Sequence, residues 1–286
     1  MKPLFTRSKP GVQLILYLLL LGAAIFAMVM LRQCSQAPAS AADAVEASAG
    51  DTLDVAIDYS PMSMYVKGDT IGGFNYDLMR SLAKRGNLRV KFHPVVSLKE
   101  ALSGLDQGLY DMLIADIPAT LDFQNRYRLT EPLYLDRQVL LQHRDSAGCI
   151  ENPVSSVLDL AGRHVWVVSN SPMQSRLQSL SAEIGDTIYV ESVPEYNSEQ
   201  LYLLTSIGEI GLSVINERLA RDMAYDKHTG GKDESVDIST GVTFTQHQSW
   251  VLRNDREQLA AKIDSLIIAF KSTEAYKALC KRYLLD

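Results

Sequence analysis

The sequence predicts an α/β protein of two lobes that face each other across a cleft, preceded by an N-terminal transmembrane helix. Three observations predict it. A strand–helix–strand–helix–strand order starts at Leu53 and returns from His164. Parallel neighbours need crossovers, so each run implies a parallel sheet with helices on its faces. A stretch of 22 uncharged residues, Pro10 to Leu31, stands ahead of both. The 286 residues are 47% hydrophobic and 22% charged, which excludes a disordered chain, a collagen-like repeat and a disulfide-dense miniprotein.

As a helix the apolar stretch reaches ~33 Å, enough to cross a hydrocarbon core. A secretory signal has a shorter apolar region, about 7–15 residues, so a retained anchor over 10–31 is the favoured reading. Lys2, Arg7 and Lys9 precede it and Arg32 follows. That bias makes 1–9 a cytoplasmic tail and places the rest outside. Cys34 keeps lipidation open: Leu31 stands three residues before it, as in a lipoprotein signal, but Gln33 occupies the position that wants a small residue. Residues 33–50 hold seven Ala and three Ser and read as a flexible linker with a reach of ~23 Å. Beyond Arg32, 24 basic residues face 34 acidic ones, a net −10. Nucleic acid is thereby disfavoured as a partner, because phosphate binding draws on clustered cations.

The body then follows element by element. Leu53–Asp58 alternates and is β-rich, a strand. Phe74, Leu78 and Leu82 share a helical face that Gly86 is expected to stop. Arg89–Val95 is a second strand. Ser97 and Glu100 make a capping box for a helix carrying Ala101, Leu102 and Leu105. Asp111–Asp116 is apolar enough to be buried on both faces. In the second half His164–Val168, Ile188–Val193 and Leu212–Ile215 read as strands. Ser171–Pro172 caps one helix, and another begins at Ser198. Two helices close the chain, from about Arg256 to Phe270 and from Ser272 or Thr273.

The stretch Leu53–Gln142 resembles the bacterial extracellular solute-binding proteins of family 3. The residues that carry it are the strand ending at Asp58, Pro61–Tyr65, Gly72–Met79, Ala101–Leu102, Gly108–Asp111 and Leu129–Tyr134. Leu158–Gly162 and Ser169–Ser171 extend it into the second half. The resemblance implies a type II periplasmic-binding-protein fold with a hinged cleft: lobe 1 over 52–134 and 243–286, lobe 2 over 138–240. It implies a non-enzymatic protein on the periplasmic or extracellular side of a bacterial inner membrane, single-pass. Such a protein closes around a small polar ligand for uptake or sensing, next to an ABC-transporter permease. The anchored form is also similar to the non-catalytic half of membrane-bound lytic transglycosylase F. That leaves a muropeptide-binding regulatory module of the cell-wall machinery as an alternative. The same fold hosts dehydratases, for which Asp116 is the candidate acid. The chain ends at Asp286, so the transglycosylase's catalytic domain is expected to be missing.

Ligands in such sheets sit beyond the carboxyl ends of the strands. Asp58 and Asp116 end strands, where each is a ligand acceptor or a structural carboxylate. In amino-acid binders of the family an Arg three residues after a Thr grips the carboxylate. Here Thr120 is followed by Phe123, and Asn216 stands where an acid holds the ligand amine. Both charged anchors of an α-amino acid are missing, which argues against ordinary amino-acid binding. Arg126 is expected either to reach the cleft or to be a solvated surface residue. Ser169, Asn170 and Ser171 precede a helix whose N–H groups suit an anion, or merely cap it. Tyr59, Tyr65 and Phe123 wall the pocket or pack. Cys149 and Cys280 form a disulfide or stay free thiols. No metal or cofactor motif is present: the five His lack ligand spacing, and neither HExxH nor GxSxG occurs.

Overall fold

The chain passes twice between two mixed sheets, and this double passage sets the architecture. The computed structural model describes residues 52–225, 231, 233–283 and 285. The first sheet contains β1 (Leu53–Asp58), β4 (Val90–Val95), β5 (Met112–Pro118), β6 (Arg128–Leu129), β7 (Tyr134–Asp136) and β13 (Gln246–Leu252), in the order β4-β1-β5-β13-β6 with β7 also on β13. The second contains β8 (Gln138–His143), β9 (His164–Trp166), β10 (Tyr189–Glu191), β11 (Leu212–Asn216) and β12 (Val236–Asp237), in the order β10-β9-β11-β8-β12. A small hairpin, β2 (Tyr65–Lys67) with β3 (Thr70–Gly72), stands apart.

The strand order second-first-third appears in both sheets, with β1 parallel to β4 and β5, and β9 parallel to β10 and β11. Each sheet then adds antiparallel strands, β13 against β5 and β8 against β11. The sheets are therefore mixed rather than purely parallel. The antiparallel members are the strands that bring the chain across, which apolar periodicity alone does not show. One crossing is at Arg137, between β7 and β8; the other spans 243–245, ahead of β13. The two crossings pair with each other, through Gln246↔Asp136 and the Val139↔Gly241 bridge.

Helices cover both faces of each sheet. On the first, α1 (Phe74–Gly86), α7 (Glu257–Lys271) and α8 (Glu274–Arg282) bury Phe74, Leu78, Ile263 and Phe270 against Ile57, Ile114 and Trp250. On its other face α2 (Leu98–Asp106) and α3 (Leu121–Arg126) bury Leu102, Leu105 and Phe123 against Leu113 and Val251. On the second sheet α4 (Pro172–Ile184) packs one face, and α5 (Ser198–Ser206) with α6 (Glu217–Ala224) the other. Full burial of each such side chain contributes ~1.5–3 kcal/mol. Gly86 does not stop α1; it is the last helical residue, and Asn87 takes the left-handed turn at φ 47°. Gly73, at φ 129°, opens α1, and a Cβ there would lie 2.2 Å from the Ser63 carbonyl oxygen, so no other residue fits.

Cys149 is exposed and Cys280 is buried in the first lobe's core, and no disulfide joins them. This corrects the disulfide alternative. The expected tail 1–9, membrane helix 10–31, linker 33–50 and Cys34 lie outside the described residues. Among the described residues no helix is long and apolar enough to cross a membrane.

Candidate functional site

The strands of both lobes point into a shared cleft. Asp58 closes β1, Asp116 lies near the end of β5, and Asn216 closes β11. Gln138 opens β8, Ser171 precedes α4, and Asn197 with Ser198 opens α5; all of these line the cavity. It holds about 80 Å³, below the ~300–1,000 Å³ of ordinary small-molecule sites. A space of that size holds no more than a few heavy atoms.

Asp116 is held from behind. The Tyr134 hydroxyl and Asn75 Nδ2 both donate to its Oδ1, the latter at 2.8 Å. Among the described residues no side-chain donor is bonded to Oδ2, which is open to a ligand. Asn75 is fully buried; its Nδ2 also donates to Ser63 Oγ at 2.9 Å, and its Oδ1 accepts from Trp250 Nε1 at 3.0 Å. Those three bonds fix the amide's orientation. Asn75→Ala removes all three at ~1 kcal/mol each. We expect unfolding about 3 kcal/mol easier, read by denaturant titration, together with weaker ligand binding. Unchanged stability would show that the network is not formed.

Burial pushes the Asp58 carboxyl up to about 7, against a lowering bond from Ser60, with further upward pushes from the Asp116 and Glu199 charges. Burial also raises Asp116, partly offset by Tyr134 and Asn75. At the crossing, Asp136 is likewise pushed to about 7 by burial, although the backbone N–H groups of Arg137 and Arg218 and the Arg218 charge pull it down. Lys, Arg and His are absent from the cavity lining among the described residues. The cleft is thus a concentration of carboxylates without internal cations.

Amides span the lobes at the cleft floor. Gln138 Nε2 donates to Asn216 Oδ1 at 2.6 Å. Asn216 Nδ2 reaches across to the Asp116 carbonyl and to Gln248 Oε1, each at 3.4 Å. Beside them Arg137, at the crossing, grips Glu217 of α6 with two bonds of 2.7 and 2.9 Å. The Arg137 bonds and, less strongly, Arg221 hold the Glu217 carboxyl down at about 2.

The structure therefore brings Asp58, Asp116, Ser171 and Asn216 together. It corrects other expectations. Arg126 points away, bonded to Asp106 at 2.6 Å, and Phe123 is core. Tyr59 does not line the cavity, and Tyr65 lines a separate groove beside Asp136, Arg137 and Tyr283. Thr120, Ser169 and Asn170 are also outside the lining. The anion nest ahead of α4 is largely spent. Asn170 N–H donates to Gln174 Oε1, Ser171 N–H to the Val168 carbonyl and Gln174 N–H to the Ser171 carbonyl, while Pro172 has no N–H. The Ser171 hydroxyl there is buried and unpartnered. Gln138, Asn197 and the Asn75–Tyr134 support escaped sequence reasoning, although Asn75 and Tyr134 both lie within the quoted motifs. Among the described residues no cluster of three His, Cys, Asp or Glu is placed to hold a metal.

The profile of the bacterial extracellular solute-binding proteins, family 3, matches residues 52–286. A membrane-bound lytic murein transglycosylase F of Shewanella sediminis (strain HAW-EB3) is 26% identical over 163 residues, covering 57% of this chain and 32% of that protein. The arginine-binding extracellular protein ArtP of Bacillus subtilis (strain 168) is 23% identical over 133 residues, 46% of this chain and 49% of ArtP. The chain thus spans about a third of one relative's length and half of the other's. Among solved structures, an ancestral arginine-binding protein bound to glutamine superposes with a TM-score of 0.68 at 20% identity, covering 84% of this chain and 100% of that one. At that identity the likeness shows the fold.

Proposed function

The chain belongs to the bacterial extracellular solute-binding proteins of family 3, and we propose that its lobes close around a small cation outside the cytoplasm. The observation that carries the choice of cation is the pair Asp58 and Asp116 in a lining without Lys, Arg or His. A cationic ligand relieves the repulsion between two desolvated carboxylates. An α-carboxylate finds no guanidinium there, so decarboxylated amines suit the cleft better than amino acids. In this reading residues 10–31 tether the body to the outer face of the membrane, near a permease for uptake or a signalling partner for sensing. The ligand acts by its greater affinity for the closed state, and no catalytic step is assigned. A dehydratase acting on an anionic prephenate-like acid is disfavoured by the same charges.

A thermal-shift screen of the full chain against agmatine, putrescine, arginine, glutamate and a muropeptide tests the proposal. Agmatine, which is arginine without its carboxylate, is expected to stabilise at least as strongly as arginine, by ~2.7 kcal/mol at a hundredfold excess over Kd. Stabilisation by glutamate above agmatine overturns it. The matches to lytic transglycosylases favour a second reading, a cell-wall-binding module, which a response to the muropeptide alone would support.

A further inference from the structure

We propose that the groove lined by both lobes beside the crossing at Arg137 is a second binding site, for a small multivalent oxyanion. It shares no lining residue with the interlobe cleft and has a volume of about 930 Å³, within the ~300–1,000 Å³ of small-molecule sites.

The molecule sorts its charges between these two hollows. The cleft is lined by Asp58 and Asp116 without a cation among the described residues. The groove is lined by Arg137, Arg218, Arg221 and Arg282, four of the 24 basic residues in a body that carries −10. Three acids share that lining, Asp136, Glu217 and Asp222. Asp136 is 5% exposed, and burial pushes its carboxyl up to about 7. Below neutrality, four positive charges therefore stand against two negative ones.

Arg221 and Arg282 carry the inference. Arg221 is on α6 in the second lobe, and Arg282 ends α8 in the first. Each side chain is 67% exposed. Arg221 donates to Glu217 Oε1 from Nε at 3.2 Å and from Nη2 at 2.7 Å. The same carboxylate already accepts two bonds from Arg137, so one negative charge serves two guanidiniums. Arg282 donates once, at 3.1 Å, to Asp77 Oδ2, which also accepts from the Tyr283 hydroxyl. A guanidinium has five N–H donors in a fork that matches carboxylate and phosphate. Both arginines thus keep donors for a ligand without breaking a pair, and exposed pairs of this kind hold their cations only weakly. The two forks belong to opposite lobes. An anion with two oxyanion groups can engage both, whereas a monovalent one engages a single fork.

The test is calorimetric titration of the full chain with pyrophosphate, citrate and acetate, in mild acid and at constant ionic strength set with sodium chloride. The expected result is saturable binding of pyrophosphate or citrate, at least about tenfold tighter than that of acetate; which of the two is tighter tells phosphate from carboxylate. A double variant, Arg221→Gln with Arg282→Gln, should weaken that binding about tenfold or more, ~1.4 kcal/mol. It should melt close to the parent, because both side chains are exposed and Arg137 keeps its hold on Glu217. Asp116→Asn should leave anion binding unchanged, which separates this site from the proposed cation cleft. The proposal is overturned if neither multivalent anion binds saturably, or if acetate binds as tightly as they do. Binding that survives the double variant or is lost in Asp116→Asn also overturns it.

Discussion

Asp116→Asn is expected to weaken the cation selected by the ligand screen by roughly 30-fold or more, since truncating one member of a desolvated charge pair costs at least about 2 kcal/mol. The substitution keeps the side chain's volume and an oxygen for Tyr134 and Asn75, whose bonds fall on Oδ1. What it removes is the charge and the free Oδ2. Asp58→Asn should act in the same direction and leave a second signature. Its carboxyl is pushed up to about 7, so below neutrality a bound cation must displace a proton. The parent's affinity should therefore fall as pH drops from about 8 to 6, approaching tenfold per unit on the acid side. In Asp58→Asn that slope should flatten. Calorimetry across this range reads both effects. Equal affinity in parent and Asp116→Asn would refute the cation reading, and an affinity that rises toward acid would contradict the role given to Asp58.

The ligand-free protein should become less stable as pH rises from about 4 to 7, opposite to the usual behaviour of a carboxylate-rich domain. Asp136 is 5% exposed and its carboxyl is raised from 3.8 to about 7. Between those values the folded state holds a proton that the unfolded chain has released. Stability is thus fully present below the unfolded value and is lost as pH climbs through the folded one. The limit for one such group is on the order of 4 kcal/mol, and Asp58 adds in the same sense. Glu217, held at about 2 by Arg137 and Arg221, works the other way, but only in more acidic solution. The melting temperature should accordingly peak in mild acid. Asp136→Asn should raise it at about pH 8 and leave it nearly unchanged at about pH 4. The Asn oxygen can still accept the Arg137 N–H, which in the parent falls on Oδ1 at 2.8 Å; the longer bond from the Arg218 N–H, to Oδ2 at 3.4 Å, is given up. A lower melting temperature for this variant at about pH 8 would show that the Asp136 charge stabilises the crossing.

The regular elements of the body were legible because each carries its own signal. The alternation of Leu53–Asp58 and the Phe74–Leu82 face need no distant partner to be read. Asp58 and Asp116 were legible as cleft residues because strand ends in parallel sheets point to one rim. The residues that complete the site were not. Gln138 and Asp136 sit on either side of a crossing that has no helix, and their neighbours come from β11, α6 and β13, at least 78 positions away. Asn75 is a helical residue like any other until Trp250 and Asp116 reach it from elsewhere. Arg126 failed for a related reason: sequence shows that a cation stands one turn on, but Asp106, which claims it, belongs to another helix. In each case a long-range partner decides, and local pattern contains no record of it.

The position of β13 also shapes how the protein is made. This strand lies between β5 and β6 in the middle of the first sheet, yet it leaves the ribosome after the whole second lobe. At ordinary translation rates the edge of β5 waits on the order of ten seconds for its neighbour. During that interval an apolar strand is open to wrong pairing, while the second lobe can already close its own sheet. The lobe begun first is finished last, and a chaperone has most to protect in the first half of the nascent chain.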